Sequence, residues 1–261
     1  MPNTETANTS PLFSIVTVTF NAADTLERTM ESVAEQTATD YEHIIMDGVS
    51  RDATISIAER LATPLTRIYS SPDHGIYDAM NKAFGIARGK YIIFLNSGDA
   101  FYDADTLARY VEAANAGSNP GIIYGQTVLV DNDNNIIGRR HLRAPEKLNL
   151  ASFSNGMTVC HQAMAVRHDI APLYDTMYRF SADYEWAIRI LQHSEVNTYL
   201  GDTPVIRYLA EGMTTRNHRA SLKERFRIMC KYYGTMPTIA RHAKFIVRYG
   251  LRRIRGGANN Q

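Results

Sequence analysis

The sequence predicts an α/β fold with a doubly wound, mainly parallel sheet, and three observations carry that prediction. Apolar, β-branched runs alternate with segments of helical period between Phe13 and Leu95. Each run is short and ends in small polar or acidic residues, as buried parallel strands do. The run Tyr91 to Leu95 stops at Asn96-Ser97-Gly98-Asp99, which sets a carboxylate at the edge where open α/β sheets bind ligands.

The elements follow in order. Phe13 to Phe20 is apolar and β-branched and reads as the first, buried strand. The turn Asn21 to Asp24 leads into a helix ending near Gln36, with Asp24 or Thr25 as its expected cap and Leu26, Met30 and Val33 on one face. Tyr41 to Met46 is a second strand closed by Asp47-Gly48. Thr54 to Leu61 is a helix capped by Asp52 and stopped by Pro64, and Leu65 to Tyr69 is a third strand. A helix over Ala79–Ala87 precedes the strand Tyr91 to Leu95. Beyond Asp99 the alternation weakens. Thr106 to Ala114 is helical, and the runs Ile122 to Val130 and Ile136 to His141 flank the polar turn 131–135. Met157 to Val166 reads as a strand and Asp183 to His193 as a helix with Trp186, Ile190 and Leu191 inward. Two helices over 221–233 and 238–255 are separated by Gly234 and Pro237.

The 261 residues, 44% of them hydrophobic, allow one large domain with an appendage. The expected division is a disordered terminus over 1–11, a catalytic domain over 12–210 and a basic helical extension over 211–261. No stretch reaches the ~20 apolar residues of a membrane span. Met1 to Pro11 has neither the basic nor the apolar region of a secretory signal. Cys160 and Cys230 form no framework and read as reduced thiols of a cytoplasmic protein. The net charge of +1 hides an asymmetry: residues 216–261 hold 12 Lys and Arg against one acid, or +11, so the remaining 16 basic and 26 acidic residues give −10.

Five motifs in order carry a resemblance. They are Val16-Thr17-Val18-Thr19-Phe20-Asn21; Asp47-Gly48-Val49-Ser50-Arg51-Asp52-Ala53-Thr54; Asp73-His74-Gly75-Ile76-Tyr77-Asp78-Ala79-Met80-Asn81-Lys82; Phe94-Leu95-Asn96-Ser97-Gly98-Asp99; and Ser181-Ala182-Asp183-Tyr184-Glu185. Over about residues 13–190 the chain resembles the family 2 glycosyltransferases of the GT-A fold, and within them the colanic-acid and capsule-type enzymes. The segment after about 210 carries no family signature.

The resemblance implies roles, each with a plainer alternative. Thr19, Phe20 and Asn21 would pack on a nucleotide base and ribose; otherwise Phe20 is ordinary core. Asp47 would accept a hydrogen bond from a base N–H; otherwise Asp47-Gly48 is only a turn. Asp78 and Asn81, three apart on one helix face, would border the donor ribose and phosphates, with a solvated face as the alternative. The family's Asp-x-Asp is reduced here to Asp99, which would hold Mg²⁺ or Mn²⁺ on the donor diphosphate with Asn96 and Ser97 beside it; a helix cap near 103 is the alternative. Asp183 would be the general base that deprotonates the acceptor hydroxyl in an inverting transfer, or else a carboxylate favouring a helix dipole. His161 and Gln162 would lie near the acceptor pocket, and Arg216, in the loop 212–216, would neutralise the leaving group. UDP is the default nucleotide by family frequency.

Arg241, Lys244, Arg248, Arg252 and Arg255 form one basic stripe opposite Ala243, Ile246, Val247, Leu251 and Ile254. Residues 238–255 thus suit an anionic membrane surface, fitting a peripheral enzyme on the inner face of a bacterial plasma membrane with a polyprenyl-linked or polysaccharide acceptor. The alternative is a helix packed on the domain. Pairing of the 221–255 helices would give a homodimer. Nucleic acid is not an expected partner, since no aromatic stacking motif accompanies the charge. The absence of the Gln-x-x-Arg-Trp motif argues for adding one sugar per encounter. The rival of another class is a catalytically inactive nucleotide-sugar-binding subunit. A Rossmann dehydrogenase fails for want of GxGxxG.

Overall fold

The computed structural model describes residues 10–210 and 218–243. Its strands are β1 (Phe13–Thr19), β2 (Tyr41–Asp47), β3 (Thr66–Ser70), β4 (Tyr91–Phe94), β5 (Ala100–Phe101), β6 (Ile122–Val130), β7 (Ile136–Arg139), β8 (Met164–Arg167) and β9 (Asn197–Leu209). Its helices are α1 (Ala23–Ala34), α2 (Thr54–Leu61), α3 (Ile76–Ile86), α4 (Thr106–Asn115), α5 (Ala182–Leu191) and α6 (His218–Tyr233); a further helix, α7, covers 235–243. The strands join in one sheet of order β3-β2-β1-β4-β8-β6-β9-β5, with β7 paired to β6.

Pairing is parallel through β3-β2-β1-β4. Beyond β4 the sheet is mixed: β8 runs antiparallel to both β4 and β6, while β6 and β9 are parallel. The apolar runs are continuous because the sheet is covered on both faces. Val16, Ile92 and Phe94 face a core shared with Met80 of α3 and Trp186 of α5. Their neighbours Ile15, Tyr91 and Ile93 face the opposite core with Leu107 and Tyr110 of α4. The alternation follows from the two-residue period of a strand.

Local chemistry fixes the loops at the carboxyl edge. No side chain of its own first turn caps α1, contrary to the expectation for Asp24 or Thr25. The loop after β2 does so instead: Ser50 Oγ, Thr54 Oγ1 and Asp52 Oδ2 accept from the N–H groups of Asn21, Ala22 and Ala23 at 2.8, 2.8 and 3.1 Å. Asp52 Oδ1 also accepts from Thr54 N at 3.0 Å, so one carboxylate serves the starts of two helices. Val49 holds φ +64°, an unusual conformation for a β-branched residue. Asp47 fixes it there by accepting from Ser50 N at 2.9 Å.

Three segments differ from the sequence expectation. The strand expected over Met157–Val166 is confined to Met164–Arg167, because His161–Ala163 form a 3-10 turn that directs polar side chains inward. The helix expected over Ala79–Ala87 starts at Ile76, behind Gly75 at φ +116°. The 13-residue β9 was not anticipated; Gly201, Asp202 and Pro204 interrupt its apolar pattern, and its register with β6 shifts there. Gly234, at φ +86°, ends α6, whereas Pro237 lies inside α7 rather than before it.

Candidate active site

The carboxyl ends of β1 and β4 open into a cleft of about 740 Å³. This is the crevice at which open α/β sheets bind ligands. Thr19, Phe20 and Asn21 from the end of β1 form one wall, with Asp73 from the loop before α3. Asn96, Ser97 and Asp99 form the floor, and His161, Gln162 and Asp183 form the far side. Asp99 and Asp183, distant in sequence, therefore face one cavity.

Asp99 is 4% exposed. Its Oδ2 accepts from Gln162 Nε2 at 2.8 Å and its Oδ1 from Leu209 N at 2.9 Å. Burial pushes its pKa up to about 7, although both hydrogen bonds and Arg28 favour the charge. It caps no helix, since its acceptor oxygens face β9 and Gln162. Gly98, at φ +96°, lets the chain turn beneath Leu209: a Cβ there would stand 2.8 Å from Leu209 Cδ2. Thr25 and Ser97 join their hydroxyls at 2.9 Å, tying the floor to α1.

Asp183 is the second residue of α5 and lines the cleft. Tyr77 donates its hydroxyl to Asp183 Oδ1 at 3.2 Å, and Tyr184 N donates to the same oxygen at 2.9 Å. Burial, then the Asp183 charge, raises the Tyr77 phenol well above its ordinary value, so it stays a donor. The loop before α5 is held from outside: Glu224 of α6 accepts from Arg179 N and Phe180 N at 2.9 and 2.8 Å. Glu185, next to the base candidate, is 1% exposed and bonded to Arg189, Lys231 and Tyr232. It fastens α5 to α6.

Four expected contacts are engaged elsewhere. Asp47 is fully buried, and its carboxylate accepts from Thr19 Oγ1, Ser50 Oγ, Ser50 N and Ser70 Oγ at 2.5 to 3.0 Å. Burial opposes its charge, but these four donors outweigh burial and hold its pKa below the ordinary value. Four donors fill a carboxylate, so Asp47 is a clamp beneath the cleft and not a base contact. Asp78 accepts from His74 N at 3.0 Å and pairs with Lys82 at 3.2 Å, fixing the loop before α3. Asn81 spends its amide on the Tyr174 backbone, donating to the carbonyl at 3.0 Å and accepting from the N–H at 2.7 Å. His161 sits among Phe94, Tyr174 and Trp186 and bonds the Tyr174 hydroxyl at 2.5 Å; burial lowers its pKa to about 4. Though its side chain borders the cleft, it is a neutral packing group. Arg216 lies outside the described residues, as do 244–255 of the basic stripe.

Sequence reasoning placed the Asp73-His74-Gly75 loop beside the donor but passed over Tyr77, Arg140, Arg179, Tyr208 and Arg225; Asp73 and these five line the cleft. Tyr77 lay within a quoted motif, one helical turn before the buried Met80, and could have been found there. Arg225 had no local signal, because it belongs to the basic segment after the expected boundary at 210. That boundary leaves out a residue of the cleft wall.

The glycosyl transferase family 2 profile matches residues 14–171. The chain belongs to this family. A curated relative from Mycobacterium bovis, a PGL/p-HBAD biosynthesis glycosyltransferase, is 32% identical over 72% of this chain and 73% of its own length. The putative teichuronic acid biosynthesis glycosyltransferase TuaG of Bacillus subtilis is 35% identical over 40% of this chain and 42% of its own. Among solved structures, Staphylococcus aureus TarS 1-349 with UDP-GlcNAc superposes with a TM-score of 0.67 at 15% identity, covering 89% of this chain and 73% of that one. The mannosyltransferase PcManGT of Pyrobaculum calidifontis, solved with GDP-Man and Mn²⁺, gives 0.64 at 16%, covering 96% and 81%. This family 2 glycosyltransferase thus has the GT-A fold, as expected.

The residues of this glycosyltransferase fit a cation only in part. Among the described residues no group of three or more His, Cys, Asp or Glu converges. Asn96 Oδ1, however, is buried without a hydrogen-bond partner, and with Asp99 it offers hard oxygen ligands on the cleft floor. The remaining ligands would have to come from a diphosphate and water.

Proposed function

We propose that this glycosyltransferase moves one sugar, with inversion, from a nucleotide donor to the hydroxyl of a lipid-linked or polysaccharide acceptor. A UDP-sugar carrying a hexosyl or N-acetylhexosaminyl group is the favoured donor. The observation that carries the reading is that Asp99 and Asp183 line the same cleft. Phe20, 64% exposed beside the cleft, offers a face for the base. Asp99, Asn96 and Ser97 serve the diphosphate; Asp99 with Asn96 would hold Mn²⁺ or Mg²⁺, which would supply charge neutralisation there.

The acceptor oxygen attacks the anomeric carbon as the bond to the diphosphate oxygen breaks, and its proton passes to Asp183. Tyr77 and Tyr184 N both bond Oδ1, which orients the carboxylate and leaves Oδ2 to receive the proton. Arg179 and Arg225, on the cleft wall, suit the departing nucleoside diphosphate. Residues 12–210 with α6 form the catalytic unit, and the basic segment over 238–255 docks it on the inner face of the plasma membrane. The charge pattern supports docking, as do the exposed Met236 and Ile239; among the described residues no helix is long and apolar enough to cross a membrane.

The test is turnover of UDP-sugars with Mn²⁺ by the full chain, wild type against Asp183→Asn. Transfer in the wild type, lost in a variant that still binds UDP, supports the reading; equal turnover in both removes Asp183 from the chemistry. Sedimentation with anionic vesicles, comparing the full chain with one truncated after Met236, tests docking.

A further inference from the structure

Beside the cleft lies a notch that the scheme above leaves unused. Thr127 of β6, Arg139 at the end of β7, and Arg140, Arg143 and Thr158 line it, with Asp202 at its rim. Arg140 and Cys160 line both the notch and the main cleft, so the two share a wall. Three arginines thus line it against one carboxylate. That carboxylate pairs with Arg143 at 3.0 Å, and both partners are well exposed, so water screens the pair. Arg140 donates to Met157 O at 3.3 Å, which leaves most of its five N–H donors unspent. Arg139 has no ion pair among the described residues.

A second observation is independent of the charge. Thr127 is 7% exposed, and its Oγ1 is buried without a hydrogen-bond partner. A buried hydroxyl left unpaired costs free energy, and Thr127 is one of the residues that line the notch. The size limits what enters. At about 10 Å³ the notch holds about one water-sized group, so it takes an anionic oxygen and excludes a sugar ring or a base.

We propose that the notch is a subsite for one oxygen of an anionic group of the acceptor, a phosphate or a carboxylate, seated while the acceptor hydroxyl lies in the cleft. This rests on the transfer reading above, and adds that the acceptor is charged close to the hydroxyl that reacts. A phosphate would come from a lipid carrier, a carboxylate from an acidic sugar.

The test is calorimetric titration of the full chain with inorganic phosphate and, separately, methyl glucuronide, each with UDP saturating the donor wall. The expected result is binding of at least one probe, weakened about tenfold by Arg139→Gln and measurably by Thr127→Val. Thr127→Val removes only the unpaired hydroxyl, so its melting temperature should equal or exceed that of the wild type. A loss of affinity without loss of stability is what a purely structural Thr127 would not give. Phosphate alone points to a lipid carrier, glucuronide alone to an acidic sugar, and both to the shared anion chemistry. Binding of neither probe, or equal binding by variants and wild type, overturns the subsite. Failure of UDP to bind overturns the donor reading instead, and the same titrations without UDP then decide the notch.

Discussion

Replacing Asp99 by asparagine should make the free protein more stable than the wild type near pH 8, and the advantage should shrink toward pH 5. Burial lifts the Asp99 pKa from 3.8 to about 7. The folded state therefore holds this proton more tightly than the unfolded chain. Its contribution to stability is full below the unfolded value of 3.8 and is lost as pH rises through about 7. The rise from 3.8 to about 7 corresponds to about 4 kcal/mol, of which about 2.5 kcal/mol falls between about pH 5 and pH 8. An asparagine forgoes one accepted hydrogen bond, costing about 1 kcal/mol, so the variant should gain about 3 kcal/mol near pH 8 and under about 1 kcal/mol near pH 5. Two histidines run the other way. Burial depresses His43 to about 3 and His161 to about 4 from 6.5. Their contribution is full above 6.5 and is lost as pH falls through the folded values. Subtracting variant from wild type at each pH cancels them. The assay is urea unfolding of both proteins in chelator across this range. A difference that does not change with pH would refute the buried, protonatable Asp99.

Asp183→Asn should retain UDP binding by thermal shift and lose transfer by about 10²-fold or more; a variant with wild-type turnover would assign the proton to another group. Phe20→Ala should weaken nucleotide binding by about tenfold, the worth of one base stacked on a ring, with an unchanged melting temperature because the ring is 64% exposed. Asn81→Ala should do the reverse. It breaks both hydrogen bonds to the Tyr174 backbone and should cost about 2–4 kcal/mol in denaturant unfolding, while leaving UDP affinity in the surviving folded protein unaltered. A loss of affinity without loss of stability would restore Asn81 to the donor site.

The parallel half of the fold was legible because its physics is local. Strands covered on both faces must be apolar throughout, and each helix between them shows its own period, so β1 to β4 and their helices appear in the sequence near their true bounds. The other half is assembled from distant partners. β9 is a strand because β6 pairs with it, not because its Gly201-Asp202 and Pro204 favour one. The polar segment His161–Ala163 ends the apolar run early because Gln162 is needed at Asp99. The place of Asp183 at the start of a helix could be read from its motif, but its contact with Tyr77 comes from α3, more than a hundred residues away.

The four reassigned side chains show why polar motifs are a weaker guide than apolar ones. Asp47, Asp78, Asn81 and His161 all sit within bonding distance of loop backbone or of another polar side chain, and all are spent there. A cleft walled by loops exposes backbone N–H groups and must satisfy them, so most of the polar residues in the motifs serve the loops. Asp99 and Asp183 differ in that both line the cavity. The motif therefore records the cleft's scaffold and its chemistry together, and only the partner of each carboxylate separates the two. Arg140, Arg179 and Arg225 also line the cavity, and no carboxylate among the described residues forms an ion pair with them. The proposed transfer, which expels a nucleoside diphosphate, would draw on such uncommitted positive charge, and a nucleotide-sugar carrier without chemistry would have no use for a base at Asp183.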